Sequence, residues 1–324
     1  MIMAKAPFRI SFVGGGSDLE SFYGRKYGAV VSSSIDKYMY IMIHPYFHDK
    51  IRVKYSKTED VGDIDELKHP LVRECLRLTG IEKGIEIASI ADVPAGTGIG
   101  SSSTFTVCLL HALYTHKRKF VSKERLAKGA CEVEINILKE PIGKQDQYAA
   151  SYGGLNYIRF NMDETVFVEP IVWDSELKKR LERNLLMFYV GNVRKACQIL
   201  KEQKNNMSKE KQYEKVRNMV QLAEKLRDSL NRGRIRAAGE TMHEGWLLKK
   251  ELASGISNSH IDHYYMAALK AGAVGGKLLG AGGGGFLLFY CEPKYQNRVR
   301  KSLGLRELKF RFDNEGAKII HVSE

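Results

Sequence analysis

The chain has 324 residues, 44% of them hydrophobic, enough to bury a sizeable core in one large domain or two. Its formal charge of +13 sits on basic residues interleaved with acids, as in Lys201-Glu-Gln-Lys204; this pattern describes solvated helix faces that help attract a phosphorylated small molecule, and with no RNA-binding or zinc-finger motif it argues against nucleic acid as a partner. Five cysteines without a Cys-x-x-Cys pair exclude a disulfide frame and a zinc site, and no apolar run reaches the roughly 18 residues of a membrane span or signals a leader, so a soluble, cytoplasmic protein is expected.

In chain order, residues 7–13 alternate into the turn Gly14-Gly-Gly-Ser-Asp18, followed by a short helix within 19–27. Segments 30–34, 38–44 and 51–55 read as strands, the acidic stretch 59–66 as an exposed loop, and 70–78 as a helix. A strand over 85–90 feeds Pro94-Ala-Gly-Thr-Gly-Ile-Gly-Ser-Ser-Ser-Thr104, and an apolar helix over 104–114 leaves it. A helix over 123–138 stops at Pro141 and Gly143; a helical turn at 146–150 and a strand over 155–160 follow, and 161–174 reads as the linker. The second half opens with a strand over 185–190 and helices over 195–204, 211–231 and 235–252. Another glycine cluster, Gly280-Ala-Gly-Gly-Gly-Gly285, precedes a strand over 286–290, and 318–322 reads as a last strand.

The stretch 94–104 organises the rest. Gly96, Gly98 and Gly100 permit positive φ and close approach to a ligand. Ser101, Ser102 and Ser103 fall where a helix begins, with free N–H groups and the positive end of the dipole, a site for phosphate. The loop lacks the Gly-Lys-Ser/Thr of a Walker loop and the Gly-x-Gly-x-x-Gly spacing of a dinucleotide fold. Glu132, Glu134 and Asp146 are the carboxylates placed for chemistry: Glu134 among apolar neighbours, where an acid needs a cation, and Asp146 in Gly143-Lys-Gln-Asp-Gln-Tyr148, as an N-cap or as a base on a rigid turn. A phosphate loop, a buried glutamate and a turn-mounted aspartate together suit phosphoryl transfer.

Three stretches resemble the GHMP small-molecule kinases, a family that includes galactokinase, homoserine kinase and mevalonate kinase. They are Ala6-Pro-Phe-Arg-Ile-Ser-Phe-Val-Gly14, the loop beginning at Pro94, and Lys277-Leu-Leu-Gly-Ala-Gly-Gly-Gly-Gly-Phe286, in family order across almost the whole chain. Gly14-Gly-Gly-Ser-Asp18 and Gly143-Lys-Gln-Asp-Gln-Tyr148 are similar to the D-glycero-D-manno-heptose 7-phosphate kinase branch. The resemblance implies an α+β fold of two lobes, with an N-terminal nucleotide-binding domain over 1–170, of a kind also found in a ribosomal protein, and a ferredoxin-like C-terminal domain over 171–324.

It further implies ATP and Mg²⁺ as cofactors and a phosphorylated sugar as substrate, with no nucleic acid or membrane partner and a homodimer left open. Pro94, Gly96, Thr97, Gly98, Gly100, Ser101, Ser102 and Ser103 would hold the ATP phosphates, and Ser102 with Glu134 would hold the metal. The twelve-residue interval to Asp146, as in galactokinases, selects Glu134 over Glu132. Asp146 would act as base on the sugar C1 hydroxyl, with Arg9 keeping it ionised; Gly15, Gly16, Asp18, Gly282, Gly283 and Gly284 would contact substrate.

Where galactokinases carry Glu-His, this chain has Gly15-Gly16, which leaves room and removes a negative charge for a longer or phosphorylated sugar. Arg194 and Lys195 are candidates for the distal phosphate, ahead of Lys37 and Lys144. Ser103-Thr104 departs from the family's alanine pair and bears on which serine meets the metal. Two alternatives stand beside the heptose kinase: a kinase for an unphosphorylated sugar of the fucose, mannose or galactose type, and a non-catalytic sensor of ATP and sugar.

Overall fold

The computed structural model describes residues 1–191 and 196–323, with the side chain of Ala196 also left aside. Arg194 and Lys195 lie outside the described residues.

The long strand β1 (Ile2–Val13) buries Ala4, Ala6, Phe8, Ile10 and Phe12 on one face; from Ala6 onward the other face is covered as well. It pairs antiparallel with β2 (Gly28–Pro45), and register shifts beside Arg9 and Val13 bend the pair. The two strands expected over 30–34 and 38–44 are this one strand of 18 residues. The serines at the end of the first resemble turn residues, but Ser32 donates to the Ile10 carbonyl (3.0 Å) and Ser34 to the Ala149 carbonyl (2.9 Å), so these hydroxyls are satisfied inside the sheet.

After β2 come β3 (Ile51–Lys54), β4 (Thr58–Val61), β5 (Ile85–Ala91), β6 (Leu155–Phe160) and β7 (Val166–Pro170). The first sheet runs β12-β1-β2-β5-β3-β4, where β12 is Lys318–Val322, with the β6–β7 hairpin on the remaining edge of β2. β3 and β5 are parallel and the other pairings antiparallel. The expected linker over 161–174 is thus partly a strand: Asn161 and Thr165 close a tight hairpin, and β7 pairs with β6 in register. Likewise the acidic loop over 59–66 holds β4 and a single 3-10 turn, exposed as its charge requires.

The second sheet is four-stranded, β11-β8-β10-β9, built from β8 (Leu185–Tyr189), β9 (Gly275–Leu278), β10 (Phe286–Tyr290) and β11 (Arg306–Glu307). Its central strand β10 is buried throughout. The helices Glu210–Asn231 and Ala237–Lys250 pack on each other and on β1, placing Met242 and Trp246 in the core. The whole is α+β, as expected.

Three helices were not legible from apolar spacing. Ser175–Arg183 begins where the Asp174 carboxylate caps the amides of Glu176 and Leu177; Ser259–Ala271 begins at an Asn258 cap and ends at Gly272; Pro293–Leu303 begins on a proline. In each the capping residues mark the element more clearly than its short apolar stripe does. No described helix is long and apolar enough to cross a membrane.

Candidate active site

The strand β5 delivers the chain to the glycine loop, and the helix Ser101–His116 starts directly after Gly100. Gly96, Gly98 and Gly100 have φ of +77°, +83° and +82°, so the loop winds through left-handed conformations and turns its amides toward one cleft. Gly98 also has no room for a side chain, since a Cβ would stand 2.5 Å from the Leu279 carbonyl oxygen. The cleft, about 370 Å³, is bounded by this loop, by the turn following β1, and by the loop after β9.

Arg9, on β1 and 5% exposed, is the hinge of the arrangement. Its Nε and Nη2 donate to the two carboxylate oxygens of Asp146 at 2.7 and 2.9 Å, and its Nη1 donates to the Gly98 carbonyl at 2.7 Å. One guanidinium therefore fixes both the aspartate and the phosphate loop. Asp146 stands in the first turn of the helix Gln145–Tyr152 and is partly exposed to the cleft. Each carboxylate oxygen keeps a lone pair for a further donor.

The expected helix over 123–138 is two pieces, an α-helix Lys123–Cys131 and a π-helical stretch Glu132–Ile137. The wide turn carries Glu134 inward, where it is fully buried, and leaves Glu132 exposed. The Ser102 hydroxyl donates to Glu134 Oε1 (2.9 Å) and the Gln147 amide to its Oε2 (2.8 Å). Burial pushes the Glu134 carboxyl up to about 7, with those hydrogen bonds opposing. A hydroxyl and a carboxylate beside a phosphate loop are the hard oxygen donors that suit Mg²⁺, and the nearby Ser101 hydroxyl is buried with no partner among the described residues.

The turn after β1 is clasped by the turn before Asp146. Asp18 accepts from the amides of Gly16 (2.9 Å) and Gln145 (3.3 Å), and a side chain at Gly143 would collide with the Asp18 carboxylate. Burial raises the Asp18 carboxyl above its ordinary value, the two amides opposing. Gly15, Gly16 and Asp18 line the cleft with Arg9, Asp146, Gly96, Gly98, Gly100 and the three serines 101–103.

Not every expected residue faces it. Thr97 is fully buried and donates to the Pro94 carbonyl (3.0 Å), so this pair shapes the loop from behind. Gly282, Gly283 and Gly284 stand back from the cleft: a Cβ at Gly282 would lie 2.6 Å from the Ile256 Cα, and the Gly283 amide donates to the Ile256 carbonyl (3.0 Å). In that glycine cluster it is Gly280 and Ala281 that line the cleft, with Gly280 seated against Gly98. The Lys37 amine is paired with Asp36 (3.0 Å) and the Lys144 amine with Glu164, while the Lys144 backbone amide donates to the Asp18 carbonyl (3.2 Å).

Several lining residues escaped the sequence reading, among them three with side-chain donors. Lys249 Nζ donates to the Gly280 carbonyl (2.8 Å); its neighbours are Asp18, Asp146 and Arg9, and burial pulls its amine down to about 8. Lys277, on β9, is 4% exposed and its amine is pulled well below the ordinary range by burial, then by Lys249 and Arg9. Gln203, from the helix Ala196–Asn206, is the third. Lys249 shares the helical phase of the apolar Met242 and Trp246, which was its available signal.

Comparison with known proteins fits this geometry. The model of the GHMP kinase N-terminal domain matches residues 68–154 and that of the GHMP kinase C-terminal domain residues 210–307, together more than half of the chain. The chain belongs to the GHMP kinase family. It is similar to a D-glycero-alpha-D-manno-heptose 7-phosphate kinase of Campylobacter jejuni, 28% identical over 98% of both chains. A galactokinase of Pyrococcus furiosus is 25% identical over 96% of this chain and 94% of its own length. Among solved structures, a D-glycero-D-manno-heptose 1-phosphate kinase from Bacteroides thetaiotaomicron superposes with a TM-score of 0.82 at 24% identity, over the full length of both chains, and shares the fold. Like its relatives, this GHMP kinase is a phosphotransferase, and the family uses ATP.

Proposed function

We propose that this GHMP kinase transfers the terminal phosphate of ATP to the anomeric C1 hydroxyl of D-glycero-D-manno-heptose 7-phosphate, giving the 1,7-bisphosphate, a step toward nucleotide-activated heptose. The observation that carries the reading is the two-pronged Arg9–Asp146 pair, tied by the same guanidinium to Gly98 of the phosphate loop and set beside the Gly14–Asp18 turn. The full-length similarity to the Campylobacter enzyme supports the choice of sugar.

In this reading the amides of Gly96 to Ser103 cradle the ATP phosphates at the helix N-terminus. Ser102 and Glu134 would hold Mg²⁺, which when bound neutralises phosphate charge during transfer. Asp146 accepts the proton of the sugar hydroxyl on an oxygen lone pair not used by Arg9, while Arg9 fixes the angle of that carboxylate. Asp18 takes hydrogen bonds from sugar hydroxyls. We assign nucleotide binding to the lobe 1–170 and closure over the substrate to the lobe 171–324. Gly15 and Gly16 leave the sugar room, and Lys249 Nζ would lie 3.6 Å from a Cβ at Gly15, so that room is faced by a cation.

The test is ADP release with Mg²⁺-ATP and a panel of heptose 7-phosphate, mannose, fucose and galactose, with phosphorus NMR of the product. Turnover of heptose 7-phosphate with a new anomeric phosphate is expected. Turnover of an unphosphorylated sugar instead would overturn the substrate and keep the kinase, and binding without turnover would point to a sensor.

A further inference from the structure

Beside the turn Gly14–Asp18 the cleft gathers hydrogen-bond donors that the mechanism above does not use. Gln203 is 1% exposed, and its side-chain Nε2 is buried with no partner among the described residues. That nitrogen points at Gly16, where a Cβ would collide with it. The side-chain amine of Lys277, also lining the cleft, has no hydrogen bond or ion pair to any described residue. Lys249 has one neutral acceptor, the Gly280 carbonyl, for its three N–H bonds. Donors buried without acceptors are costly, and two buried ammonium groups side by side are costlier still. Three different elements hold them there: the helix Ala196–Asn206, the helix Ala237–Lys250 and β9.

The carboxylates in reach do not discharge this cluster. Asp146 is taken up on both oxygens by Arg9. Asp18 has one amide on each oxygen, and no ion pair links it to either lysine. Glu140 lines the same cleft and forms no ion pair with them either. What the cluster lacks is an acceptor with several oxygens and a negative charge, and a phosphate monoester supplies both.

We infer that Lys249, Lys277 and Gln203 form the subsite for the phosphate that the sugar substrate already carries, and so set the preference for a phosphorylated over an unphosphorylated sugar. This rests on the sugar-phosphate reading above and assigns the distal phosphate to residues other than Arg194. Gly15 and Gly16 belong to the same device. A side chain at Gly16 would displace the Gln203 amide, and one at Gly15 would stand between Lys249 and the sugar. The rival source of the same chemistry is the terminal phosphate of ATP, because Gly280 joins Lys249 to Gly98 of the phosphate loop.

The experiment compares wild type with Lys277→Met, Lys249→Met and Gln203→Leu, each close in volume to the residue replaced, and with Lys277→Arg. Steady-state rates are measured on heptose 7-phosphate, on the same heptose without its phosphate, and as a function of ATP. Expected for each apolar variant is a fall in kcat/KM for the phosphorylated sugar about 10- to 100-fold greater than for the unphosphorylated one, carried by KM, with partial rescue in Lys277→Arg. Equal losses on both sugars, or a rise in the KM for ATP in place of that for sugar phosphate, would overturn the assignment.

A second arm is independent of the sugar. With the nucleotide loop filled by a non-hydrolysable ATP analogue, inorganic phosphate should raise the unfolding temperature of wild type and not of Lys277→Met. A wild type that turns over no heptose but keeps this difference would refute the proposed sugar and retain the subsite. The absence of a difference would refute the subsite.

Discussion

The phosphate-loop end of the cleft and the lysine end are built by different means. At the first, the proposed ligand contact falls to backbone amides, and the residues that free them are consecutive, Gly96 to Ser103. At the second, the proposed contact falls to three side chains more than seventy residues apart in sequence at their extremes, Gln203, Lys249 and Lys277, brought to one cleft only by the fold, the helix Ala237–Lys250 packing on β9 and β1. Backbone recognition leaves a contiguous signature because conformation is local; side-chain recognition leaves single residues whose meaning depends on the fold.

The comparison is broken most sharply where both ends meet the base. Asp146→Asn removes the proton acceptor while keeping its shape, and kcat should fall by roughly 10³-fold, with ATP affinity retained in a calorimetric titration. A fall of less than tenfold would remove Asp146 from that role. Next is Gly98→Ala, which asks how far the loop depends on its conformation. A φ of +83° and a Cβ 2.5 Å from the Leu279 oxygen should cost about 1–3 kcal/mol in chemical denaturation and raise the KM for ATP, since the loop and its Arg9 contact shift together.

Glu134→Gln keeps the hydrogen bonds to Ser102 and Gln147 within reach but removes the charge. The Mg²⁺ concentration for half-maximal rate should then rise at least about tenfold, and an unchanged metal dependence would exclude Glu134 as a ligand.

The lysine end is tested through stability. Burial brings the Lys249 amine down from its ordinary 10.5 to about 8 in the folded protein, with Asp18 and Asp146 opposing the shift and Arg9 reinforcing it. Between those values the unfolded chain binds more protons, so wild-type stability should rise with pH from about 8 to 10.5. Below 8 the cost of burying the ammonium is present in full. Lys249→Met should therefore be more stable at pH 7, by about 1–2 kcal/mol, and should show a shallower rise than wild type in a series of urea titrations, Lys277 supplying the slope that is left. A destabilised variant would mean that the amine is satisfied in the folded protein. As a control remote from both ends, Arg183→Ala breaks an exposed pair with Glu176 and should change stability by less than about 0.5 kcal/mol and leave the rate unaltered.

Much of the fold and of the proposed centre was legible for the reason this contrast gives. Asp18 and Asp146 sit beside glycine turns, Glu134 in a helix among apolar residues and Arg9 among the apolar residues of β1, where a charge stands out; Arg9, Asp18 and Asp146 line one cleft, and Ser102, which also lines it, binds Glu134. The glycines at 282–284 show the limit: their signal is conformational freedom, and here it serves packing against Ile256 while Gly280 and Ala281 face the ligand space. Lys249 and Lys277 were hidden because a lysine within an apolar helix or strand reads as one more surface charge until its depth is known. The strand β7 and the three unread helices are short and depend on caps and hairpin closure, local signals weaker than an apolar stripe.

The pairing of β12 with β1 joins Lys318–Val322 to the first strand of the same sheet. During synthesis β1 emerges first, yet its outer edge stays open until more than three hundred residues later, when that late segment leaves the ribosome. Over that interval β1 is an unpaired edge on a nascent chain, the kind of surface that recruits another strand or a chaperone. The sheet that orients Arg9 is completed only then, so the growing protein is expected to remain inactive until that segment is in place.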